Sequence, residues 1–401
     1  MSWISPRVIR GNRGDIASRF GILTALLRRN VTISAVFNAR PSHVPQALRD
    51  RLLPYGPLYN FWPGLQGLVA LRRARHVIWT GGLDLQDDSS LIKLLHTWLV
   101  FASYRLLGLR ILLAHQGAGP LQTRTGRWLA RRVLSCVALV LARDEGTHRL
   151  LSGLMPAERL RLVADGIFLP GFPTRDDAQP VPLPAKALAG ADGRPVIGLN
   201  VRLWFHFTGS WVPYQFARER YLQRAEGQMS ELLQSFRAVI AHLRARYDAR
   251  IVLVSMYEPG VEPWEDDLVL LERLKAFFPE DEEVHVLRED LSIEELCRLF
   301  TRFDLMIGTR LHSALIALRA GVPAIHVAYT LKGRDIYADL GLSDWVVEIA
   351  DFMRTPETAI GLIDAVQGDP ARYERVRATV EPLVARNEAA LHSAVQDMEA
   401  G

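Results

Sequence analysis

One stretch of the sequence, residues 303–337, constrains the fold more than any other. Its apolar run at 305–307 predicts a buried strand, and the periodic apolar residues of 311–320 predict an amphipathic helix. Gly321 and Pro323 are residues at which helices end, and an apolar run resumes after them as a further strand. Strands and helices that alternate in this way form parallel sheets, so we expect an α/β protein.

The loop inside this unit carries two side chains suited to an anion, Arg310 and His312. Free N–H groups and the dipole at a helix N-terminus favour negative charge, and a guanidinium adds donors that fit phosphate or carboxylate. The alternative is a structural turn in which Arg310 pairs with an acid and His312 is packed. Both residues follow the carboxyl end of a strand, where such sheets bind ligands, and we therefore favour the anion site.

The alternating pattern continues along the whole chain, from a first strand predicted at 7–10. We predict two similar α/β domains with a cleft between them, because 401 residues are long for one hydrophobic core. The N-terminal domain is expected at 1–175, a linker rich in Pro and Ala at 176–195, and the C-terminal domain at 196–369. Residues 370–401 are expected to form a helical tail that crosses back to the first domain.

The composition narrows the class of protein. A hydrophobic fraction of 49% and a charged fraction of 23% are typical of a globular chain. The net charge of +4 suits anionic substrates or an anionic membrane surface, whereas the scattered arginines argue against nucleic acid as a partner. The two cysteines, Cys136 and Cys297, fit a reducing compartment, and the N-terminal residues lack a signal-peptide core. We therefore expect a cytoplasmic location.

Two further cations are predicted to converge with Arg310 and His312. Arg202 ends the first strand of the second half, and Lys332 begins the loop after the opening stretch. Four cations around one empty pocket would repel each other, which indicates a doubly or triply charged ligand. For Lys332 a plain surface charge is the open alternative.

Carboxylates and aromatic residues complete the set of candidates. Asp84 and Asp165 follow strand ends and are candidate acids or bases, while helix capping is the favoured role of Asp15. The loop after Arg202 is unusually aromatic; it includes Trp204, Trp211 and Tyr214. These rings suit stacking on a sugar, with a lid over the cleft as an equal alternative. The sequence has no P-loop, HExxH helix or CxxC pair, so we expect no bound metal and no cofactor.

Several of these residues, in this order, resemble the polysaccharide pyruvyl transferase family. They are Asn12-Arg13-Gly14-Asp15, Gly81-Gly82, Gly119-Pro120, Arg143-Asp144, Asp165, Arg202 and the segment IGTRLHSALIALRAGVPAIHVAY, which is followed by Lys332. The resemblance implies two Rossmann-like halves arranged as in the glycosyltransferase B fold. It also implies phosphoenolpyruvate as the donor substrate and a pyruvyl group placed as a ketal across two hydroxyls of a sugar. Gly166, where the family more often has proline, and Leu83 depart from its pattern.

The resemblance also suggests roles for individual residues. Arg202, Arg310, His312 and Lys332 are expected to bind the donor, and His312, Arg310 and Asp165 to act in catalysis. The expected acceptor-binding residues are Asn12, Asp15, Gly82, Asp84, Trp204, Trp211 and Tyr214. The acceptor would be a sugar of a cell-surface polysaccharide or its lipid-linked precursor. The basic helix predicted at 125–135 leaves open a peripheral contact with the inner membrane surface.

Two other functions remain open from the sequence. The first is a nucleotide-sugar-dependent glycosyltransferase of the same fold, in which Arg310 and His312 hold a diphosphate. The second is a non-catalytic glycan-binding assembly protein, which clustered cations disfavour because glycan binding alone does not need them.

Overall fold

The computed structural model describes residues 2–53, 64–87, 91–177, 193–202, 214–261 and 265–401, except for the side chains of 64, 65, 214–224 and 331. The described strands form two parallel sheets. The strands of the first sheet are β1 (Ser2–Ser5), β2 (Thr32–Phe37), β3 (Leu52–Leu53), β4 (His76–Leu85), β5 (Arg110–Ala118), β6 (Leu139–Ala142) and β7 (Leu160–Leu162). Those of the second are β8 (Val196–Asn200), β9 (Arg250–Val254), β10 (Val284–Leu287), β11 (Leu305–Gly308), β12 (Ala324–Ala328) and β13 (Val346–Glu348).

The strand order is β3-β2-β1-β4-β5-β6-β7 in the first sheet and β10-β9-β8-β11-β12-β13 in the second. In each sheet the order reverses beside the first strand, β1 or β8, as in doubly wound folds. Every residue of β8 and β9 is buried, because helices cover both faces of a parallel sheet. The predicted α/β fold with two Rossmann-like halves is confirmed.

Helices connect the strands of each sheet. Those of the first half are α1 (Arg13–Arg28), α2 (Gly64–Arg73), α3 (Leu91–Leu106), α4 (Arg124–Ser135) and α5 (Glu145–Ser152). Those that follow are α6 (Tyr214–Tyr247), α7 (Leu268–Lys275), α8 (Ile293–Phe300), α9 (Leu311–Arg319), α10 (Leu331–Asp339), α11 (Ile349–Arg354), α12 (Pro356–Gly368) and α13 (Arg372–Ala400). Within the described ranges, no helix combines the length and the apolarity needed to cross a membrane.

Two predicted elements were wrong in their bounds. The first strand is β1, not 7–10, because Pro6 follows it directly and proline cannot donate a ladder hydrogen bond. Arg7 instead enters the interior and pairs with Asp84. The apolar periodicity predicts a helix only from Met229 to Tyr247, whereas α6 begins at Tyr214. Most of the predicted linker lies outside the described residues.

Helix α13 packs on both halves. Its early residues, including Val376 and Val380, are buried in the core of the second sheet, and its later residues, including Leu391 and Val395, pack on the first sheet. Near its C-terminus, Glu399 Oε1 accepts a hydrogen bond of 2.8 Å from Trp3 Nε1. The C-terminal helix therefore joins the two halves behind the cleft.

Asn387 fixes α13 to the chain just after β7. Its side chain is buried, and Nδ2 donates to the carbonyl oxygens of Asp165 at 3.0 Å and Phe168 at 2.9 Å. Its Oδ1 accepts from the Ala164 N–H at 3.1 Å. One side chain thus satisfies three backbone groups around Asp165.

We predict that Asn387→Ala lowers the free energy of unfolding by at least about 2 kcal/mol, because buried carbonyls left unpaired cost about 1–3 kcal/mol each. Urea unfolding measures this change. Arg386→Ala, at the exposed neighbouring position, is the matched control and should shift stability by less than about 0.5 kcal/mol. Equal effects of the two variants would contradict the role given to Asn387.

Candidate functional site

Residues at the carboxyl ends of strands in both sheets line one cavity of about 560 Å³. From the first half these include Asn12, Asp15, Ala118, Gly119, Arg143 and Asp144, and from the second Arg202, Arg310, His312, Tyr329, Lys332 and Asp335. The volume lies in the range of ligand pockets, and the position between two parallel sheets is where such folds bind ligands.

Asn12 and Gly14 shape the edge of the cavity at the start of α1. The Asn12 side chain caps this helix, because Oδ1 accepts from Gly14 N at 3.0 Å and Asp15 N at 3.4 Å. A Cβ at Gly14 would lie 2.2 Å from Cγ of His312, so this position needs glycine for the two helix N-termini to approach. The turn therefore brings Asp15 and His312 to the same cavity.

Arg310, the residue at the N-cap of α9, is held by acids of its own half. Its Nε and Nη2 donate to Asp267 at 2.7 to 2.9 Å, and Nη2 also donates to the Glu265 carbonyl at 2.8 Å. Burial alone would lower the pKa of Arg310, but the Asp267 charge outweighs it and raises that pKa. The pairing of Arg310 with an acid, considered above as the structural alternative, is therefore present, although Arg310 also lines the cavity.

Arg202 is oriented by an aromatic and an acidic neighbour. Its guanidinium carbon lies 4.8 Å from the centre of the Tyr329 ring, and Nη1 donates to the Tyr329 hydroxyl. Nη2 lies 3.3 Å from Oε2 of Glu265. These contacts leave Arg202 beside Arg310 on the wall formed by the second half.

Asp165 carries a buried negative charge at the junction of the halves. Arg143 Nη1 donates to its Oδ2 at 2.9 Å, and His312 Nε2 lies 3.5 Å from the same oxygen. Burial alone would raise the pKa of Asp165, but the Arg143 charge and the nearby His312 hold it well below its usual value. Asp165 is thus ionised at neutral pH, and its carboxylate lies beside His312.

Lys332 reaches across the cleft toward the first half. Its Nζ lies 3.7 Å from Oδ2 of Asp144, which caps α5 through a hydrogen bond of 2.7 Å from Thr147 N to its Oδ1. Burial and the neighbouring Arg143 lower the pKa of Lys332 to about 8. A Cβ at Gly117 would lie 2.7 Å from Lys332 Nζ and 2.8 Å from Arg143 Nε, so glycine there gives both cations room.

Four polar atoms of residues that line this cavity are buried and make no hydrogen bond to the described residues. They are Arg143 Nε, Asp144 Oδ2, His312 Nε2 and Lys332 Nζ. Asp144 Oδ2 lies 3.9 Å from Arg143 Nε and 3.7 Å from Lys332 Nζ, which are ion-pair distances too long for hydrogen bonds. Buried polar atoms left unpaired cost free energy, so such a group in one place indicates a polar ligand. Three of the four belong to basic side chains, which favours an anion.

The structure does not bring every predicted residue to the cavity. Asp84 is buried in an ion pair, with Oδ2 2.7 Å from Arg7 Nε and 2.9 Å from Trp79 Nε1. A Cβ at Gly82 would lie 1.9 Å from Arg7 Nη2, so this glycine makes room for the same pair. Neither Asp84 nor Gly82 is among the residues that line the cavity. Asp165 is also absent from the lining, although it contacts His312, which belongs to it.

Trp204 and Trp211 lie outside the described residues, as does the side chain of Tyr214, which begins α6. Conversely, Arg143 and Asp144 line the cavity, although the sequence did not assign them to the site. Their signal was available, because they directly follow the carboxyl end of β6. Tyr329 carries the same signal, because it directly follows β12, but its contact with Arg202 could not be predicted from the sequence.

Comparisons with known proteins agree with this architecture. A model of the family described as polysaccharide pyruvyl transferase matches residues 12–330. The amylovoran biosynthesis protein AmsJ of Erwinia amylovora is 28% identical over 115 residues, which cover 29% of this chain. The match spans about a quarter, 26%, of AmsJ's own length.

Solved structures share the fold at low sequence identity. HepE from Anabaena in complex with UDP-glucose has a TM-score of 0.59 at 12% identity, covering 99% of this chain and 100% of HepE. The UDP-GlcNAc 2-epimerase from Neisseria meningitidis bound to UDP-GlcNAc has a TM-score of 0.57 at 12% identity, covering 100% of both chains. At these identities the comparison shows the fold, which is of the glycosyltransferase B type.

We predict that Arg310→Ala lowers the free energy of unfolding by about 3–5 kcal/mol, because it leaves Asp267 buried and unpaired. Denaturant unfolding tests this, and Arg310→Leu combined with Asp267→Asn should recover part of the loss. Lys332→Ala is the control from the same cavity; its Nζ makes no hydrogen bond to described residues, so it should change stability by less than about 1 kcal/mol. A stable Arg310→Ala protein would show that the ion pair is dispensable.

Proposed function

Because the chain belongs to the polysaccharide pyruvyl transferase family, we propose that it transfers the pyruvyl group of phosphoenolpyruvate to a sugar. The product is a ketal across two hydroxyls of a cell-surface polysaccharide or its lipid-linked precursor, and phosphate is released. The observation that carries the choice of donor is the group of buried polar atoms without a hydrogen bond on residues of the cavity wall, three of them on basic side chains. Phosphoenolpyruvate has two anionic groups, a phosphate and a carboxylate, which match several cations close together.

Arg143, Lys332 and His312 are the donor-binding groups in this proposal, with Arg202 beside them. Arg143 and Lys332 come from opposite halves, so an anion between them would also draw the halves together. Arg310 commits its Nε and Nη2 to Asp267 and the Glu265 carbonyl. Its charge still acts on the cavity, but its main contribution is to hold the α9 N-terminus in place.

His312 is the proposed proton donor. It gives a proton to the enol methylene, which becomes the methyl group and leaves an oxocarbenium-like carbon. One sugar hydroxyl adds to that carbon, phosphate departs with the bridging oxygen, and the second hydroxyl closes the ketal. The hydroxyls lose two protons; one replaces the proton given by His312 and the other leaves on phosphate, so the protons balance.

Asp165 acts on His312 rather than on the substrate in this scheme. Its lowered pKa keeps it ionised, so it cannot donate a proton at neutral pH. An ionised carboxylate 3.5 Å from Nε2 instead stabilises the imidazolium that donates the proton. The cations around the cavity stabilise the departing phosphate, and the scheme calls on no metal or cofactor.

The proposed acceptor enters from the first half, where Asn12 and Asp15 line the cavity. AmsJ is named for the biosynthesis of amylovoran, and its similarity to part of this chain supports an acceptor from polysaccharide biosynthesis. The N-terminal half is accordingly the proposed acceptor side and the C-terminal half the proposed donor side.

Phosphate release from phosphoenolpyruvate, measured with nitrophenyl sugars or lipid-linked oligosaccharides as acceptors, tests this function. We expect release that requires both substrates, together with a product heavier by the pyruvyl ketal in mass spectrometry. His312→Asn should lower the rate by about 10²-fold or more, the usual contribution of a proton donor. Turnover only with a nucleotide sugar would contradict the proposal and favour a glycosyltransferase.

We predict that kcat/KM for phosphoenolpyruvate falls as the pH rises through about 8. The ammonium of Lys332 is present below its pKa and lost above it, and kcat/KM reports groups of the free enzyme. Lys332→Arg keeps its charge at all these pH values, so its profile should lack this decline whatever its absolute rate. A decline that persists unchanged in Lys332→Arg would assign it to another group.

We predict that Gly117→Ala lowers kcat/KM for phosphoenolpyruvate by about ten- to a hundredfold, because the methyl group displaces Lys332 Nζ and Arg143 Nε. Both are ends of flexible side chains, so the free energy of unfolding should change by less than about 1 kcal/mol. Gly146→Ala is the matched control, since the nearest atom to its added Cβ is Asp144 Oδ1 at 3.5 Å. Normal kinetics of Gly117→Ala would remove these two cations from the donor site.

A further inference from the structure

Helix α3 exposes an apolar stripe on its outer face. Ile92, Leu95, Leu99 and Leu106 are exposed by 69%, 41%, 43% and 89% of their surface. Their spacing of three, four and seven residues places them on one side of the helix, while the other side, with Leu94, Val100 and Phe101, is buried. Exposed apolar side chains gathered on one face mark an interaction surface, whereas scattered ones do not.

Helix α4 packs beside α3 and presents arginines. Its exposed face carries Arg124, Arg127, Arg131 and Arg132 together with Trp128, which is 47% exposed. None of the four arginines forms an ion pair in the part of the chain that the structure describes. The Trp128 ring meets the ring of Trp98 on α3 with a centroid distance of 5.9 Å, so the basic face and the apolar stripe adjoin.

This region of the sequence contains no acidic residue. The chain holds 44 Asp and Glu residues, yet none occurs from 89 to 143, a range that includes both helices. Helix α3 adds Arg105 and Lys93, whose Nζ lies 3.4 Å from Oδ1 of the largely buried Asp84. The surface therefore combines apolar side chains, a tryptophan and charge of one sign.

We infer that the face formed by α3 and α4 docks on an anionic membrane surface. Apolar side chains beside arginines and a tryptophan fit the boundary between acyl chains and anionic headgroups. A second copy of this chain is the less suitable occupant, because a symmetric contact would set the arginines of both copies against each other.

The face formed by α3 and α4 adjoins the rim of the cavity, so docking would bring the cavity close to the membrane. Helices α3 and α4 follow β4 and β5, so both begin at the carboxyl ends of parallel strands, the edge that lines the cavity. Leu83 and Pro120, which precede the two helices, belong to the cavity wall. Asp87 ties these segments together by accepting from Gln122 N at 2.9 Å and Thr123 N at 2.7 Å. A lipid-linked acceptor held in the membrane would thus reach the cavity at its rim. The use of such an acceptor rests on the proposed function.

Sedimentation of the full chain with phosphatidylcholine vesicles, with and without phosphatidylglycerol, tests the inference without substrate. We expect binding to the anionic vesicles that weakens at high salt. Arg124→Gln combined with Arg131→Gln should weaken it roughly thirtyfold, equivalent to about 1 kcal/mol per arginine. Leu95→Gln, Leu99→Gln and Leu106→Gln together should weaken it by at least about tenfold. Val269→Gln, at an exposed position of α7, is the matched control for the leucine variant. The pair Arg354→Gln in α11 and Arg377→Gln in α13 is the control for the arginine variant. Both controls should bind the vesicles normally.

Three outcomes would overturn the inference: no binding of the unmodified chain to anionic vesicles, equal binding of all variants, or a dimer in light scattering that the leucine variant dissociates. The last outcome would assign the face to self-association. Phosphate release with a soluble acceptor separates this test from that of the proposed function. A chain that releases phosphate but does not bind vesicles contradicts only the docking surface, and one that binds vesicles without turnover contradicts only the proposed reaction.

Discussion

The carboxylate of Asp165 balances cations that come from opposite halves of the molecule. Arg143 approaches it from the end of β6 and His312 from the start of α9, both at its Oδ2. Asn387 of α13 holds the backbone carbonyl of the same residue. A buried charge is tolerated only where partners surround it, so the position of each half and of the C-terminal helix is tied to this one group.

Beside Asp165, several buried polar atoms without a hydrogen bond make the site suited to an anion. Arg143 repels Lys332, and Asp144 Oδ2, at 3.9 Å from Arg143 Nε and 3.7 Å from Lys332 Nζ, offsets that repulsion only in part. The glycine at position 117 leaves room for both cations. An anion bound between them would relieve that repulsion and supply the missing hydrogen bonds. Such an anion would stabilise the complex relative to the empty protein, as expected for a binding site that is formed in advance.

Individual residues show where the sequence could and could not predict the site. His312, Arg202 and Lys332 were predicted from strand ends and do meet at one cavity. The sequence left two roles open for Arg310, an anion site or a structural ion pair. Its pairing with Asp267 could not be predicted, because the two residues are far apart in sequence. Asp84 and Asp165 follow strand ends alike, and each is buried against an arginine, but only Asp165 contacts His312 of the cavity wall. The basic surface was likewise not predicted, because the arginines are scattered along the sequence. The absence of acidic residues from 89 to 143 produces a basic surface only because helices α3 and α4 lie side by side.

The sequence by itself determined the α/β class, the two parallel sheets, the strand ends that carry the candidate residues and the family. Each of these depends on local periodicity or on motifs read in order along the chain. The tertiary structure alone decided which charges neutralise one another and which remain open to a ligand. That outcome depends on distances of a few ångströms between residues such as Asp165 and His312, and Coulomb and hydrogen-bond energies vary steeply over such distances while the sequence pattern does not.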